Sequence, residues 1–306
     1  MGTSPTKDTM TTSSSARPQV AFVLSGGGNQ CVSQIGMLRA LFERGITPDV
    51  VIGTSAGALN GSVVATEPTV ASVEHMADVW LSLRTGQIFP GNRWAQAWNV
   101  LTRDDHLFEN DGLREVIAQA GPAEHFHEMK VPFRVIATDL VTGDEVVFAA
   151  GPVEPALLAS TAIPGLFPPI DHGGIVGIDG AVTDNVPLWH ALGDWIDEVY
   201  VCDVSGGPAT RRMKSPLDIA VRAFAIARNQ RFELELRHVP PGIEVVVLPQ
   251  PADDRDLLDF SDAQMLMDEA HHLAARALDE RADRRAAANA AEEKAGRRWF
   301  RRSRVA

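Results

Sequence analysis

Residues 20–60 read VAFVLSGGGNQCVSQIGMLRALFERGITPDVVIGTSAGALN, and the alternation inside this stretch decides the fold. Val20–Leu24 is short and wholly apolar, and Ser25 and three glycines stop it. Such a run, bounded by turn residues, predicts a buried strand. From Cys31 to Arg44 the apolar residues Ile35, Leu38 and Leu41 recur at three-residue steps, and Gly45 follows. That spacing predicts a helix with a glycine stop. Asp49–Ile52 predicts a second strand running into Gly53, and Ala56–Ala65 a second helix. The order strand, glycine loop, helix, strand, tight turn, helix belongs to a parallel sheet with helices packed on it. The expected fold is a three-layer α/β/α domain around a mainly parallel central sheet.

The same reading extends along the chain. Strands are predicted at Phe133–Ala137, Glu145–Phe148, Ile175–Ile178, Val199–Val204 and Glu244–Leu248, the first two paired across the turn Thr142-Gly143-Asp144. Helices are predicted over 69–83, 216–236 and 261–290. Between Gln87 and Asn110 the aromatics Phe89, Trp94, Trp98 and Phe108 stand among polar residues. This is either a lid or acyl-chain wall, or an insertion that packs its aromatics into the core. With 306 residues, 45% of them hydrophobic, the chain can bury one substantial core. Residues 19–280 are read as that domain. A Ser/Thr-rich disordered leader, 1–18, precedes it, and a basic Ala/Arg-rich tail, 281–306, follows it. The tail's Arg297–Arg304 (RRWFRRSR) can be read as a dock for anionic lipid or as a solvated, frayed end.

Composition narrows the partners. A formal net charge of −12 argues against nucleic acid. The two cysteines, Cys31 and Cys202, form no CxxC or Cys/His pattern and are read as buried free thiols of a reducing compartment. No segment has the roughly 18 apolar residues of a spanning helix, and the first residues carry no apolar signal core. The expectation is a cytoplasmic protein, at most peripheral at a membrane.

Three motifs carry chemistry. Gly53-Thr54-Ser55-Ala56-Gly57 is a G-x-S-x-G placed between a strand and a helix, the context in which a sharp turn presents a serine hydroxyl. The bland alternative is a tight turn whose serine caps the helix. Ser25-Gly26-Gly27-Gly28-Asn29 ends the first strand with exposed amides. It fits neither a dinucleotide loop, whose third glycine position here is Cys31, nor a P-loop, which needs a Gly-Lys-Ser/Thr ending. Amides beside Ser55 can instead serve as an oxyanion hole. Asp179-Gly180-Ala181 puts a carboxylate at a strand end, although an Asp-Gly pair is also a common turn. Asp184, His190 and the His271-His272 pair leave a Ser…Asp…His triad open. His106 beside Asp104-Asp105 has too few ligands for a metal site, and no metal or other cofactor is expected.

Taken together, these residues resemble the patatin-like phospholipases. Four stretches match in order: Gly26-Gly27-Gly28, the elbow Gly53–Gly57 within VIGTSAGALNG, Ala159–Pro169 (ASTAIPGLFPP) and Asp179–Pro187 (DGAVTDNVP). The resemblance implies a Ser–Asp dyad without histidine, with Ser55 as nucleophile and Asp179 as base. It implies Gly27 and Gly28 as oxyanion donors, with Gly26, Gly53, Gly57 and Gly180 supporting the turns. It also implies a fatty-acyl ester of a lipid as substrate. Acyl transfer, thioester hydrolysis and lipid binding without catalysis are the alternatives on the same residues. The chain departs from the family at Gln30 and Cys31, where an arginine and a glycine are usual. That departure bears on phospholipid preference, and Cys31 is a rival nucleophile. The apolar stretch Leu157–Ile170, interrupted by Pro164, Gly165, Pro168 and Pro169, is read as an irregular wall for acyl chains.

Overall fold

A computed structural model describes residues 17–83, 108–193, 195–205, 216–252 and 262–302 of the chain. Residues 1–16 of the leader, the segment 84–107 with Phe89, Trp94, Trp98 and His106, and the last four residues lie outside the described residues.

Eight strands form one sheet. They are β1 (Val20–Leu24), β2 (Val50–Thr54), β3 (Phe133–Asp139), β4 (Glu145–Phe148), β5 (Ile170–His172), β6 (Ile175–Asp179), β7 (Glu198–Cys202) and β8 (Glu244–Val247). β3, β2, β1, β7 and β8 are parallel neighbours in that order. β1, β2 and β7 are buried along their whole length, which is why their sequences are apolar without alternation.

Helices cover both faces, which makes the domain a three-layer α/β/α. One face carries α1 (Val32–Glu43), α2 (Ala56–Thr66), α3 (Val70–Ser82), α4 (Asp111–Ala120), α5 (Val153–Thr161) and the start of the last helix, around Phe22, Leu24, Val51 and Val135. The other face, with Ala21, Val23, Val50 and Ile52, is closed by Val186, Leu188, Ala191 and Ile196 and by Phe232 of α6 (Pro216–Arg237). α7 (Ala263–Arg302) lies against α1 at very short range, since a Cβ on Gly36 would stand 2.1 Å from the Met267 carbonyl oxygen.

Some boundaries differ from the sequence reading. α7 runs through position 280 without a break. Beyond that position Arg281 and Arg285 pair with Glu198 and Glu244 at 2.5–3.2 Å, so the packing continues past the predicted domain end. The helix α5 occupies the first part of the stretch predicted to be irregular, and Leu157 and Leu158 are core residues. Only the part after Thr161, where the prolines stand, is irregular. Among the described residues no helix is long and apolar enough to cross a membrane.

Strand β3 explains how the site is assembled. One edge of β3 pairs with β4. The other edge pairs with β2 as far as Ile136 and with antiparallel β6 from Ala137 onward. β2 therefore stops where β6 begins, and the residue after β2 meets the last residue of β6. Those two residues are Ser55 and Asp179.

Candidate active site

Ser55 stands at the turn between β2 and α2 with φ 55° and ψ −132°. A non-glycine residue in such a sparsely populated conformation costs about 1–3 kcal/mol. Its side chain makes no capping bond to α2, so the bland reading of a helix-capping serine does not hold. Instead Ser55 Oγ donates to Asp179 Oδ2 at 2.7 Å. Both residues are almost fully buried, 5% and 4% exposed. The other carboxylate oxygen, Asp179 Oδ1, accepts from the Ala181 N–H at 2.8 Å and fixes the plane of the carboxylate. Ser55 is thus hydrogen-bonded to a group that can take its proton.

The glycines of the elbow are set by space. A Cβ at Gly53 would lie 2.6 Å from Ala58 Cα, and one at Gly57 would lie 2.3 Å from the Ser25 carbonyl oxygen. At Gly180 it would lie 2.2 Å from the Ile136 carbonyl oxygen. In each case backbone occupies the volume that a side chain would need.

The glycine loop lies against the elbow, for a Cβ on Gly26 would come within 3.1 Å of Ser55 Cβ. Asn185 clamps Gly26: its carbonyl accepts the Gly26 N–H at 3.0 Å, and its Nδ2 donates to the Gly26 carbonyl at 3.3 Å. The N–H groups of Gly27 and Gly28 donate to nothing among the described residues. Two unspent donors therefore lie one and two residues beyond Gly26.

Sequence reasoning missed four positioning residues. Ser160 Oγ accepts the Ser55 N–H at 2.8 Å and donates to the Ile136 carbonyl at 2.6 Å, tying the elbow to β3. Beneath the glycine loop, Gln34 Nε2 donates to the carbonyls of Ser25 (2.8 Å) and Cys202 (3.0 Å). Asn60 Nδ2 donates to Gln34 Oε1 at 2.9 Å, and Trp80 Nε1 donates to Asn60 Oδ1 at 2.9 Å. Ser160 lies inside ASTAIPGLFPP and Asn60 inside VIGTSAGALNG, so a signal for both was present. Gln34 and Trp80 had none.

Cys31 is fully buried, and its thiol is directed to the Ser25 carbonyl at 3.4 Å, a place for a small core residue rather than a nucleophile. Burial pushes the Cys202 thiol up to about 12. The histidines of the triad alternative are engaged elsewhere. His190 Nε2 lies 2.5 Å from Glu145 Oε1, His271 Nε2 2.7 Å from Glu43 Oε2, and His272 Nδ1 2.6 Å from the Asp268 carbonyl oxygen.

His190 belongs to a second cluster behind the Asp179–Asn185 segment. Glu145, Asp184 and His190 bring their ligand atoms within 4.8 Å of one another. The guanidinium of Arg231 supplies the positive charge there, 2.7 Å from Glu145 and 3.0 Å from Asp184. It also donates to the Thr183 carbonyl at 2.8 Å. Burial pushes Asp184 up to about 7 against the pull of Arg231.

The model of the family described as patatin-like phospholipase matches residues 22–192, more than half of the chain. An uncharacterized NTE family protein of Mycobacterium tuberculosis is 30% identical over 199 residues, which cover 64% of this chain and 51% of that protein. The lysophospholipase NTE1 of Cryptococcus neoformans is 30% identical over 190 residues, 61% of this chain and 11% of that protein. Among solved structures, VipD from Legionella pneumophila superposes with a TM-score of 0.49 at 13% identity, covering 87% of this chain and 67% of the other. The chain spans about half the length of the mycobacterial relative and a small part of the fungal one. The chain belongs to the patatin-like phospholipase family.

Proposed function

We propose that the chain hydrolyses fatty-acyl esters of lipids through an acyl-serine intermediate, with Ser55 as nucleophile and Asp179 as general base. The observation that carries this reading is the 2.7 Å hydrogen bond from Ser55 Oγ to Asp179 Oδ2 at a strained elbow. As Ser55 Oγ attacks the ester carbonyl, its proton passes to Asp179, and the carbonyl electrons move onto oxygen. The Gly27 and Gly28 N–H groups, unspent among the described residues, are the donors for that oxyanion. Collapse expels the alcohol, which takes the proton from Asp179. Water then attacks the acyl-serine, Asp179 accepts the water's proton, and the fatty acid leaves as Ser55 recovers its own. The segment after Thr161, with Ile163 and Leu166 partly exposed, is the wall for the acyl chain. The basic segment Arg297–Arg304 offers contact with a lipid surface in the same reading.

The test is hydrolysis of p-nitrophenyl esters from short to long acyl chains. Wild type turns over, and Ser55→Ala and Asp179→Ala each lose about 10³-fold or more in kcat with the fold intact by circular dichroism. A folded wild type that is inert on every chain length overturns the reading. Product analysis with a competing alcohol separates hydrolysis from acyl transfer.

A further inference from the structure

The turn after β3, Leu140-Val141-Thr142-Gly143, is exposed along its length, and its first two residues are aliphatic. Leu140 is 53% and Val141 76% exposed. Two adjacent aliphatic side chains held in water at a defined turn form a small apolar tip.

The position of the turn narrows what that tip meets. Parallel β2 and β3 end at the same side of the sheet, with Thr54 opposite Ile136. Leu140 therefore lies about 10 Å beyond the level of Ser55, on the same rim. The hairpin at Gly173-Gly174, between β5 and β6, joins it there, because the Leu140 N–H donates to the Val176 carbonyl at 2.8 Å.

The backbone of the turn is prepared for a surrounding poor in water. Asp139 N–H donates to the Asp144 carbonyl, Val141 N–H to Asp139 Oδ1, Gly143 N–H to the Asp139 carbonyl and Asp144 N–H to Thr142 Oγ1, all at 2.8–3.1 Å. Donors satisfied internally are not stranded when water is withdrawn. Charge sets the kind of surface. The two turns, residues 140–144 and 171–174, contain Asp144 and Asp171 but no lysine or arginine. They are suited to a neutral surface and not to an anionic one.

We propose that Leu140 and Val141 insert into a zwitterionic lipid surface and seat the Ser55 rim of the sheet on it. The proposal rests on the reading of Ser55 and Asp179 as a lipid hydrolase and names the surface from which that site draws its substrate. Insertion of the two side chains removes aliphatic area from water, which gives roughly tenfold or more in partitioning.

The full chain carrying Ser55→Ala, which cannot consume the lipid, is sedimented with phosphatidylcholine vesicles. Binding is expected, and adding Leu140→Ser and Val141→Ser is expected to weaken it by about tenfold or more. Val141→Cys labelled with a polarity-sensitive dye is expected to shift its emission to the blue on the same vesicles. On the unmutated Ser55 background, Leu140→Ser/Val141→Ser is expected to hydrolyse a soluble short-chain ester at the wild-type rate. Equal vesicle binding with and without the two serines, or binding confined to anionic vesicles, overturns the proposal. Failure of wild type on soluble esters overturns the catalytic reading instead, and the vesicle result is read independently of it.

Discussion

Two buried polar clusters flank the Ser55–Asp179 pair, and they differ in what they are made of. Under the glycine loop runs a neutral chain of Trp80, Asn60, Gln34 and the Ser25 carbonyl, built from an indole, two amides and backbone oxygens. Behind the base runs a charged one, in which Arg231 joins Glu145, Asp184 and Glu235 at 2.7–3.0 Å. Both hold a loop. The neutral chain fixes Ser25, from which the glycines start. The charged cluster fixes Thr183 and Asp184, between Asp179, the proposed base, and the clamp Asn185. The difference teaches that the glycine-loop side of the site is set by groups indifferent to pH, whereas the Asp179 side depends on ionisation.

Removing the shared cation breaks the comparison most strongly. Arg231→Met removes the guanidinium between Glu145 and buried Asp184 and leaves only the His190 ring beside them. The expected loss is roughly 3 kcal/mol, the low end for a broken buried pair, because Arg231 keeps part of its exposure. Urea unfolding at pH 7.5 measures it, and a loss below about 1 kcal/mol would show the cluster to be no more than a surface pair.

The pH dependence of the charged cluster comes next. Burial pushes Asp184 up to about 7 in the folded protein. An unfolded aspartate loses its proton near about 3.9, so the folded chain binds the extra proton between these values. This contribution to stability is complete below about pH 4 and is lost as pH rises through about 7. Glu145 behaves oppositely. Burial raises it, but the hydrogen bond from His190 and the charge of Arg231 outweigh that and hold it below its usual range. Its contribution is present at neutral pH and is lost only on acidification below the carboxylate range. Asp184→Asn is therefore expected to flatten the fall in stability between pH 5 and 7, a fall of order 1–3 kcal/mol. An unchanged slope would place its origin elsewhere.

The same contrast sets what the sequence could disclose. The strands of residues 20–60 and the elbow were legible because burial and turn geometry are local demands: an apolar run, then glycines. Asp179 and Asn185 lay in a stretch already singled out, though only the pairing of β6 with β3 shows why Asp179 meets Ser55. α5 was not legible, because a helix buried on nearly every side has no polar face to give it a period, and the prolines beyond Thr161 obscured its end. Gln34, Asn60 and Trp80 are single residues on three different helices, and Arg231 is far in sequence from Glu145 and Asp184. Contacts of that kind leave no spacing to read.

The smallest change asks most of the neutral chain. Trp80→Phe keeps an aromatic side chain, though a smaller one, and removes the N–H that Asn60 Oδ1 accepts at 2.9 Å. One buried acceptor is left without its donor, at a cost of about 1–2 kcal/mol. Nothing among the amides, the indole and the carbonyls of this chain titrates between pH 5 and 8. The loss is therefore expected to be equal at both ends of that range, in the same unfolding experiment that gives the Asp184→Asn slope. A loss that grew with pH would mean that the two clusters act through one another across the Ser55–Asp179 pair. The glycine loop and the Asp179–Asn185 loop meet at Gly26 and Asn185, so that contact is where such coupling would have to pass.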